Sequence, residues 1–302
     1  MIEQKTRKLN DNTRVAIGMV APALTGLFLF VVLPFALALV LSFTNLRLGS
    51  PLPTQFWGFE QYRRLWLDPS FRHALLNNAL FALAVVPIQT TLALGLALLL
   101  NRPLKGIAVF RTLFFMPVVF PIALVSVIWT IIYAPGPDGM MNAFLKFMTL
   151  GFWQPRDFLH DPVLALPALI LLSIWQGVGF QMVIILAGLQ SIPISLYEAA
   201  RVDGSDRWNQ FRYITLPQLR NTLIFVVLVT TILSFRLFDS VRIMTRGGPG
   251  DATTTVMNEA IKAAFDQQKM AKGSAITVTF FLIVLVITLL QRLLVQEEKA
   301  IE

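Results

Sequence analysis

The residues of this 302-residue chain that could do chemistry fall into three groups. The first is a polar island at residues 191–221, SIPISLYEAARVDGSDRWNQFRYITLPQLRN, set between two long apolar runs. Pro193 breaks the preceding helix. Ser195 stands three residues before Glu198, the spacing at which a hydroxyl and a carboxylate each satisfy an orphan helix amide, so a short helix is expected from about Leu196. Asp203-Gly204 is a stop signal, because glycine takes the left-handed conformation that helix ends often need. Ser205 can then cap a second short helix through Trp208 and Phe211. Pro217 suits the first turn of the apolar helix that follows. Glu198, Ala199 and Ala200 thus share one small helix, where two alanines let a partner's backbone come close and the glutamate offers a charged hydrogen bond. A solvated connection between two membrane helices is the plainer reading of the same loop.

The second group lies in the apolar run that starts at Thr222. Residues 222–235 reach only ~21 Å as a helix, so a crossing must take in Arg236, Asp239 and Arg242. Their i, i+3 spacing predicts one helix face with the carboxylate between two guanidiniums, facing protein or a wet cavity because charge in lipid is costly. They are read either as the border of an outward gate, with Arg236 and Asp239 its candidates, or as an ion-pair anchor at the membrane boundary. The third group is Ser173, Trp175, Gln176 and Gly177, which interrupt a Leu/Ile/Val run, with Thr230 and Ser234 four apart on the neighbouring run. Such groups beside apolar or aromatic faces suit a polyhydroxyl ligand. Interhelical hydrogen bonding and close glycine packing would use the same residues.

Other chemistry finds no residues to carry it. There is no cysteine, the two histidines, His73 and His160, are far apart, and no G-x-x-x-x-G-K-[ST] phosphate loop is present. Gly247-Gly248-Pro249-Gly250 lacks the lysine and the helix that such a loop needs. No ATP hydrolysis by that route and no nucleophile or metal constellation is expected. If transport is ATP-driven, ATP and Mg2+ belong to another subunit.

Positioning these groups falls to membrane helices. A mean hydropathy of +0.67, 56% hydrophobic residues and only 14% charged ones lie outside the soluble range. The expected fold class is all-α, a polytopic membrane bundle of six spans at 15–43, 74–100, 107–133, 163–190, 222–244 and 274–295. Each supplies the roughly 20 apolar residues that cross a ~30 Å hydrocarbon layer. The first is too long for a signal-peptide core and is read as a retained helix bent at Pro22 and Pro34. Pro87, and the pair Pro117 and Pro121, should bend their own helices and free backbone carbonyls.

The net charge of +8 is scattered at span ends instead of forming one stripe, which fits a bilayer and not nucleic acid. Lys5, Arg7, Lys8 and Arg14 in the tail, the turn 101–106 with Arg102 and Lys105, and the island share one side, read as cytoplasmic with both termini. Arg47, Arg63, Arg64, Arg72, Lys262, Lys269 and Lys272 fall opposite, so the short Arg102 turn carries most of that reading. The domain division is a tail at 1–14, a membrane domain at 15–295 containing the 191–221 loop, and a tail at 296–302. The opposite-side loops, 44–73, 134–162 and 245–273, are too short to hold a solute-capturing domain.

Spacing adds a resemblance. Glu198-Ala199-Ala200, then Gly204, Ile214 and Leu216-Pro217 at fixed gaps, resembles the EAA loop of inner-membrane permease subunits of binding-protein-dependent ABC importers. Leu41-Ser42-Phe43-Thr44, the stretch from Phe56-Trp57-Gly58-Phe59 through Tyr62, Phe71 and Asn77-Asn78, the run from Phe110-Arg111 to Met116-Pro117, and Trp129 are similar to the same family. Phe238-Asp239 with Met244-Thr245-Arg246-Gly247-Gly248-Pro249 is similar to its carbohydrate, maltose-type branch. Ser205 departs from the usual alanine and Asn221 from a frequent second proline.

The resemblance implies a second homologous permease, an ABC ATPase dimer and an extracytoplasmic solute-binding protein as partners, in an inner membrane. It implies that Glu198, Ala199, Ala200, Asp203, Gly204 and Ser205 couple to the ATPase. It makes Ser173, Gln176, Gly177, Thr230, Ser234 and Leu237 candidate pathway residues for a sugar or sugar-like solute. Val118 and Ile122 are apolar where a maltose permease would be polar, so the same sugar is not implied. The rival is a self-contained secondary transporter or channel, which predicts ion-coupling acids inside several spans. The first four spans and the sixth hold almost none.

Overall fold

The structure is a computed structural model and describes residues 16–102 and 105–297. The basic tail with Lys5, Arg7, Lys8 and Arg14, and residues 298–302, lie outside the described residues. Two compact units are present, residues 16–67 with Ala260–Thr279, and Asp68–Glu259 with residues 280–297.

In the first unit, α1 (Ala16–Leu41) carries a π-helical turn at Phe28–Val32 and buries none of its apolar window within this chain. Pro34 opens the α-helical stretch after that turn. At its end Thr44 pairs antiparallel with Phe56, and the Trp57 amide donates to the Phe43 carbonyl at 2.7 Å. Phe43 packs against Phe56, Phe59 and Tyr62, the last on α2 (Glu60–Leu67). On α2 the Arg63 and Arg64 guanidiniums hydrogen-bond Glu60 and hold its carboxyl down at about 2.

The second unit is a helical bundle around α3 (Pro69–Leu100), which starts on an Asp68 side chain accepting from the Ser70 amide. It continues through α4 (Ile107–Val119), α5 (Ile122–Ile132), the short loop helix α6 (Met140–Met148) and α7 (Ala165–Gln190). Then come α8 (Ile194–Val202), α9 (Arg207–Gln210), α10 (Arg220–Phe235) and α11 (Asp239–Met244); α12 (Val256–Ile261) and α13 (Met270–Glu297) are each divided between the units, which change over at residues 259–260 and 279–280. Helix α3 packs on α7 and α10, α4 on α7, and α11 on α5.

Small residues set those distances. Ala93 and Ala97 are fully buried, and a Cβ on Gly179 would overlap the Phe114 carbonyl, so α7 and α4 touch backbone to backbone. Two apolar clusters fill the bundle. One holds Phe81, Trp129, Tyr133 and Leu172; the other holds Met182, Ile185, Leu189 and Leu219.

Among the described residues five helical runs are long and apolar enough to cross a membrane, with Arg220–Met244 counted as one of them, and six if the bent pair Ile107–Val119 and Ile122–Ile132 is one span. The span expected at 107–133, with its bend at Pro117 and Pro121, consists of two helices meeting at 99°. Pro121 is the reason: the residue before it, Phe120, is held extended at ψ 139°, and the helix must restart at Ile122. Beyond the expected end at Val295, α13 continues to Glu297.

The second break corrects the single charged face expected from Arg236, Asp239 and Arg242. Helix α10 ends at Phe235, Arg236 is its C-cap, and Asp239 opens α11 after a non-helical Leu237 and Phe238. The i, i+3 rule therefore does not apply across it. The carbonyls freed there are taken by side chains: the Asn78 amide donates to Phe235 O at 3.4 Å and Thr255 Oγ1 to Leu237 O at 2.9 Å. Asn78 also accepts from the Val256 amide at 2.8 Å, and Asn77 donates to the carbonyls of Asp251 and Thr254, each at 2.9 Å. Adjacent asparagines on α3 thereby hold the 251–256 loop and the end of α10.

Candidate functional site

The two breaks open onto one cavity of about 360 Å³ in the second unit. It brings together every candidate pathway residue, Ser173, Gln176 and Gly177 from α7, Thr230 and Ser234 from α10, and Leu237 from the second break. Both gate candidates line it too, while Arg242 does not. Arg236 and Asp239 are exposed in this chain. Val118 and Ile122 face in from either side of the first break, so that wall is apolar, as their side chains require.

The polar groups are wired to the protein. Gln176 Nε2 donates to the Phe120 carbonyl at 3.2 Å, using the acceptor that Pro121 released. Thr230 Oγ1 donates to Val226 O at 2.6 Å and Ser234 Oγ to Thr230 O at 2.7 Å, each to its own helix one turn back.

Gln89 and Gln181 also line the cavity, and the sequence reading missed both. Gln181 is buried and donates through Nε2 to Thr230 Oγ1. Gln89 lies against Gly177, where a Cβ would overlap its amide nitrogen. Each is an amide in an apolar span that holds other amides too, Asn77 and Asn78 beside Gln89 and Gln176 beside Gln181, so the sequence did not single them out.

The loop after α7 is built differently. Helix α8 begins at Ile194 with Pro193 at its N-cap and no side-chain cap, so the expected Ser195–Glu198 box does not form. With its fixed φ, Pro193 starts the helix two residues before Leu196, which leaves Ser195 inside it. The predicted stop is present in full. Gly204 has φ +77°, its amide donates to Arg201 O at 3.1 Å, and the Ser205 amide donates to Ala200 O at 2.8 Å. Capping of the next helix falls to Asp206 and not to Ser205, because the Asp206 carboxylate accepts from the Asn209 amide at 2.8 Å. The helix through Trp208 continues as a π-helical stretch, Phe211–Thr215, and Pro217 sits near the start of the next short helix, Leu216–Gln218.

Two anchors hold this loop on the bundle. Ile192 and Leu219 are buried at its ends, and Tyr197 Oη bonds Thr215 Oγ1 at 2.9 Å. Glu198, Ala199, Asp203 and Gly204 remain exposed, and Ala200 and Ser205 half-buried. Beside them Val202 is 88% and Trp208 63% exposed.

Comparison with known proteins agrees with this architecture. Residues 89–299 match the family described as binding-protein-dependent transport system inner membrane component. The chain is 33% identical to the lactose transport system permease protein LacF of Rhizobium radiobacter, over 93% of each chain. It is 32% identical to the trehalose/maltose transport system permease protein MalF of Thermococcus litoralis, over 90% of each. In fold it matches a chain from the crystal structure of a bacterial ABC transporter involved in the import of the acidic polysaccharide alginate. That match has a TM-score of 0.82 at 21% identity and covers 96% of this chain and 99% of the other. On the family match and these identities over nearly the whole of each chain, the chain belongs to the binding-protein-dependent transport system inner membrane components, as a permease subunit of an ABC importer.

Proposed function

We propose that this permease carries a sugar or sugar-like solute through the 360 Å³ cavity, driven by a separate ATPase acting on α8. The observation that carries the reading is the convergence of Ser173, Gln176, Gly177, Thr230, Ser234 and Leu237, from distant parts of the chain, on one cavity with apolar walls. The lactose and trehalose/maltose permeases among its relatives support the solute class.

Its partners are a second, homologous permease, an ABC ATPase dimer and an extracytoplasmic solute-binding protein. ATP and Mg2+ reside on the ATPase, and this chain does no catalysis. The membrane domain spans 15–295, with tails at 1–14 and 296–302 on the cytoplasmic side of the inner membrane. The island at 191–221 lies on that side too. Closure of the ATPase dimer pushes on Glu198, Ala199 and Ala200. Asp203, Gly204 and Ser205 fix the end of the lever, and Tyr197 and Leu219 pass the motion into the bundle. Arg236 and Asp239, at the second break, border the outward gate.

The test is uptake into proteoliposomes by the full complex, with its binding protein and ATP, against lactose, maltose, trehalose and diacetylchitobiose. One of these should accumulate only with ATP, and Glu198→Ala should leave ATP hydrolysis running while uptake falls. ATP-independent uptake, or normal uptake by the Glu198 variant, would overturn the coupling, and no uptake of any sugar would overturn the solute class.

A further inference from the structure

Helix α3 supplied none of the candidate pathway residues, yet Phe81, Val85 and Gln89 all line the cavity. Their four-residue spacing puts them on one helix face. Gln89 differs from the other two glutamines of the lining. Gln176 and Gln181 have each tied an amide N–H to the protein, whereas among the described residues the Gln89 amide has no hydrogen-bond partner. Gln89 is only 6% exposed, so bulk solvent does not serve it as it would a surface glutamine. A buried amide left unpaired costs about 1–3 kcal/mol, and its partners therefore come from whatever fills the cavity.

The opposite helix makes room for that amide. The three atoms nearest to where a Cβ on Gly177 would stand are the Nε2, Cδ and Oε1 of Gln89. Gly177 lies inside α7 and is not among the residues with positive φ, so its backbone conformation is open to any residue. What glycine provides at this position is space, and the group that fills the space is the Gln89 amide.

We propose that Gln89 is a solute ligand, whose amide accepts from one hydroxyl and donates to a neighbouring one, and that Gly177 is glycine in order to admit it. This deepens the sugar reading and rests on it. A side-chain amide holds a carbonyl acceptor and two N–H donors in one plane, which suits two adjacent hydroxyls of a neutral carbohydrate. Val85 and Phe81, one and two turns away on the same face, are apolar, so no other group of that face competes for those hydroxyls.

The test uses the full complex with its binding protein and the panel sugar that wild type takes up best. Gln89→Leu removes both hydrogen-bonding groups at similar size. Uptake into proteoliposomes should fall about tenfold, the worth of one hydrogen bond, while thermal unfolding in detergent comes no earlier than in wild type. Gly177→Ala pushes aside only the flexible end of Gln89 and should lower uptake by a similar factor, again without earlier unfolding.

Because the chain has no cysteine, Gln89→Cys gives it a single thiol. In the detergent-solubilised complex with binding protein and ATP, a small methanethiosulfonate reagent should label that thiol, and saturating sugar should slow the labelling severalfold. Unchanged uptake in Gln89→Leu, a thiol that is not labelled, or one labelled equally fast with and without sugar overturns the proposal and leaves the sugar reading standing. Loss of uptake matched by earlier unfolding assigns Gln89 to packing and overturns it as well. Wild type that takes up none of the panel sugars overturns both.

Discussion

The cavity and the loop at 191–221 belong to one unit, yet they treat their side chains in opposite ways. Around the cavity Gln181, Thr230 and Ser234 are buried and wired to each other or to backbone, and the chain breaks between α4 and α5 and between α10 and α11 beside them. In the loop Glu198 and Ala199 are exposed, and the short helix carrying them is defined by neighbours along the chain: Pro193 before it, Gly204 after it. The cavity is thus specified by long-range packing and the loop helix by local stops. A cavity change should be felt through the whole bundle, whereas a loop change should stay in the loop.

The largest effect that would break or support this contrast is Gly179→Leu. Its side chain would enter the space of the Phe114 carbonyl, with Phe115 Cα 2.9 Å from the new Cβ, and backbone cannot step aside as a flexible side chain can. We expect a loss of about 3 kcal/mol or more, measured as thermal unfolding in detergent, together with loss of uptake.

Next is Asn78→Ala, which strips partners from Phe235 O and the Val256 amide far from it in sequence. It should cost about 1–3 kcal/mol and reduce uptake, because the second break loses its brace. Gly204→Val forces a branched residue to φ +77° and should cost about 1–2 kcal/mol. Its effect should fall on ATP-coupled uptake, with the order of preference among the sugars unchanged; a shifted preference would erase the distinction between the two regions.

The smallest is a pair of caps. Asp206→Ala should lower stability by about 1 kcal/mol, and Ser195→Ala by well under that, since Asp206 caps and Ser195 does not. Equal losses in the pair, read by hydrogen exchange of the loop amides, would restore the capping box.

The two caps also show how far the linear chain could be read. Ser195-x-x-Glu198 satisfies a good local rule, but Pro193 upstream fixes the backbone first, and the choice between Ser205 and Asp206 turns on one residue of register. The glycine stop was legible because a positive φ restricts residue type directly. Gln89 and Gln181 were not, since an amide in an apolar span signals function only once its neighbours are known. The charged triplet failed for a related reason: the i, i+3 rule assumes an unbroken helix, and α10 ends at Phe235.

By itself the sequence determined the helical membrane class, because crossing a bilayer demands long apolar runs whose backbone bonds close within each segment. It also determined the loop helix with its glycine terminus, because those are contacts between residues a few places apart. Only the tertiary structure decided where the helices break and which side chains share the cavity. Asn78 and Val256, or Gln181 and Thr230, meet only when separate helices pack, and no period or spacing along the chain encodes that encounter.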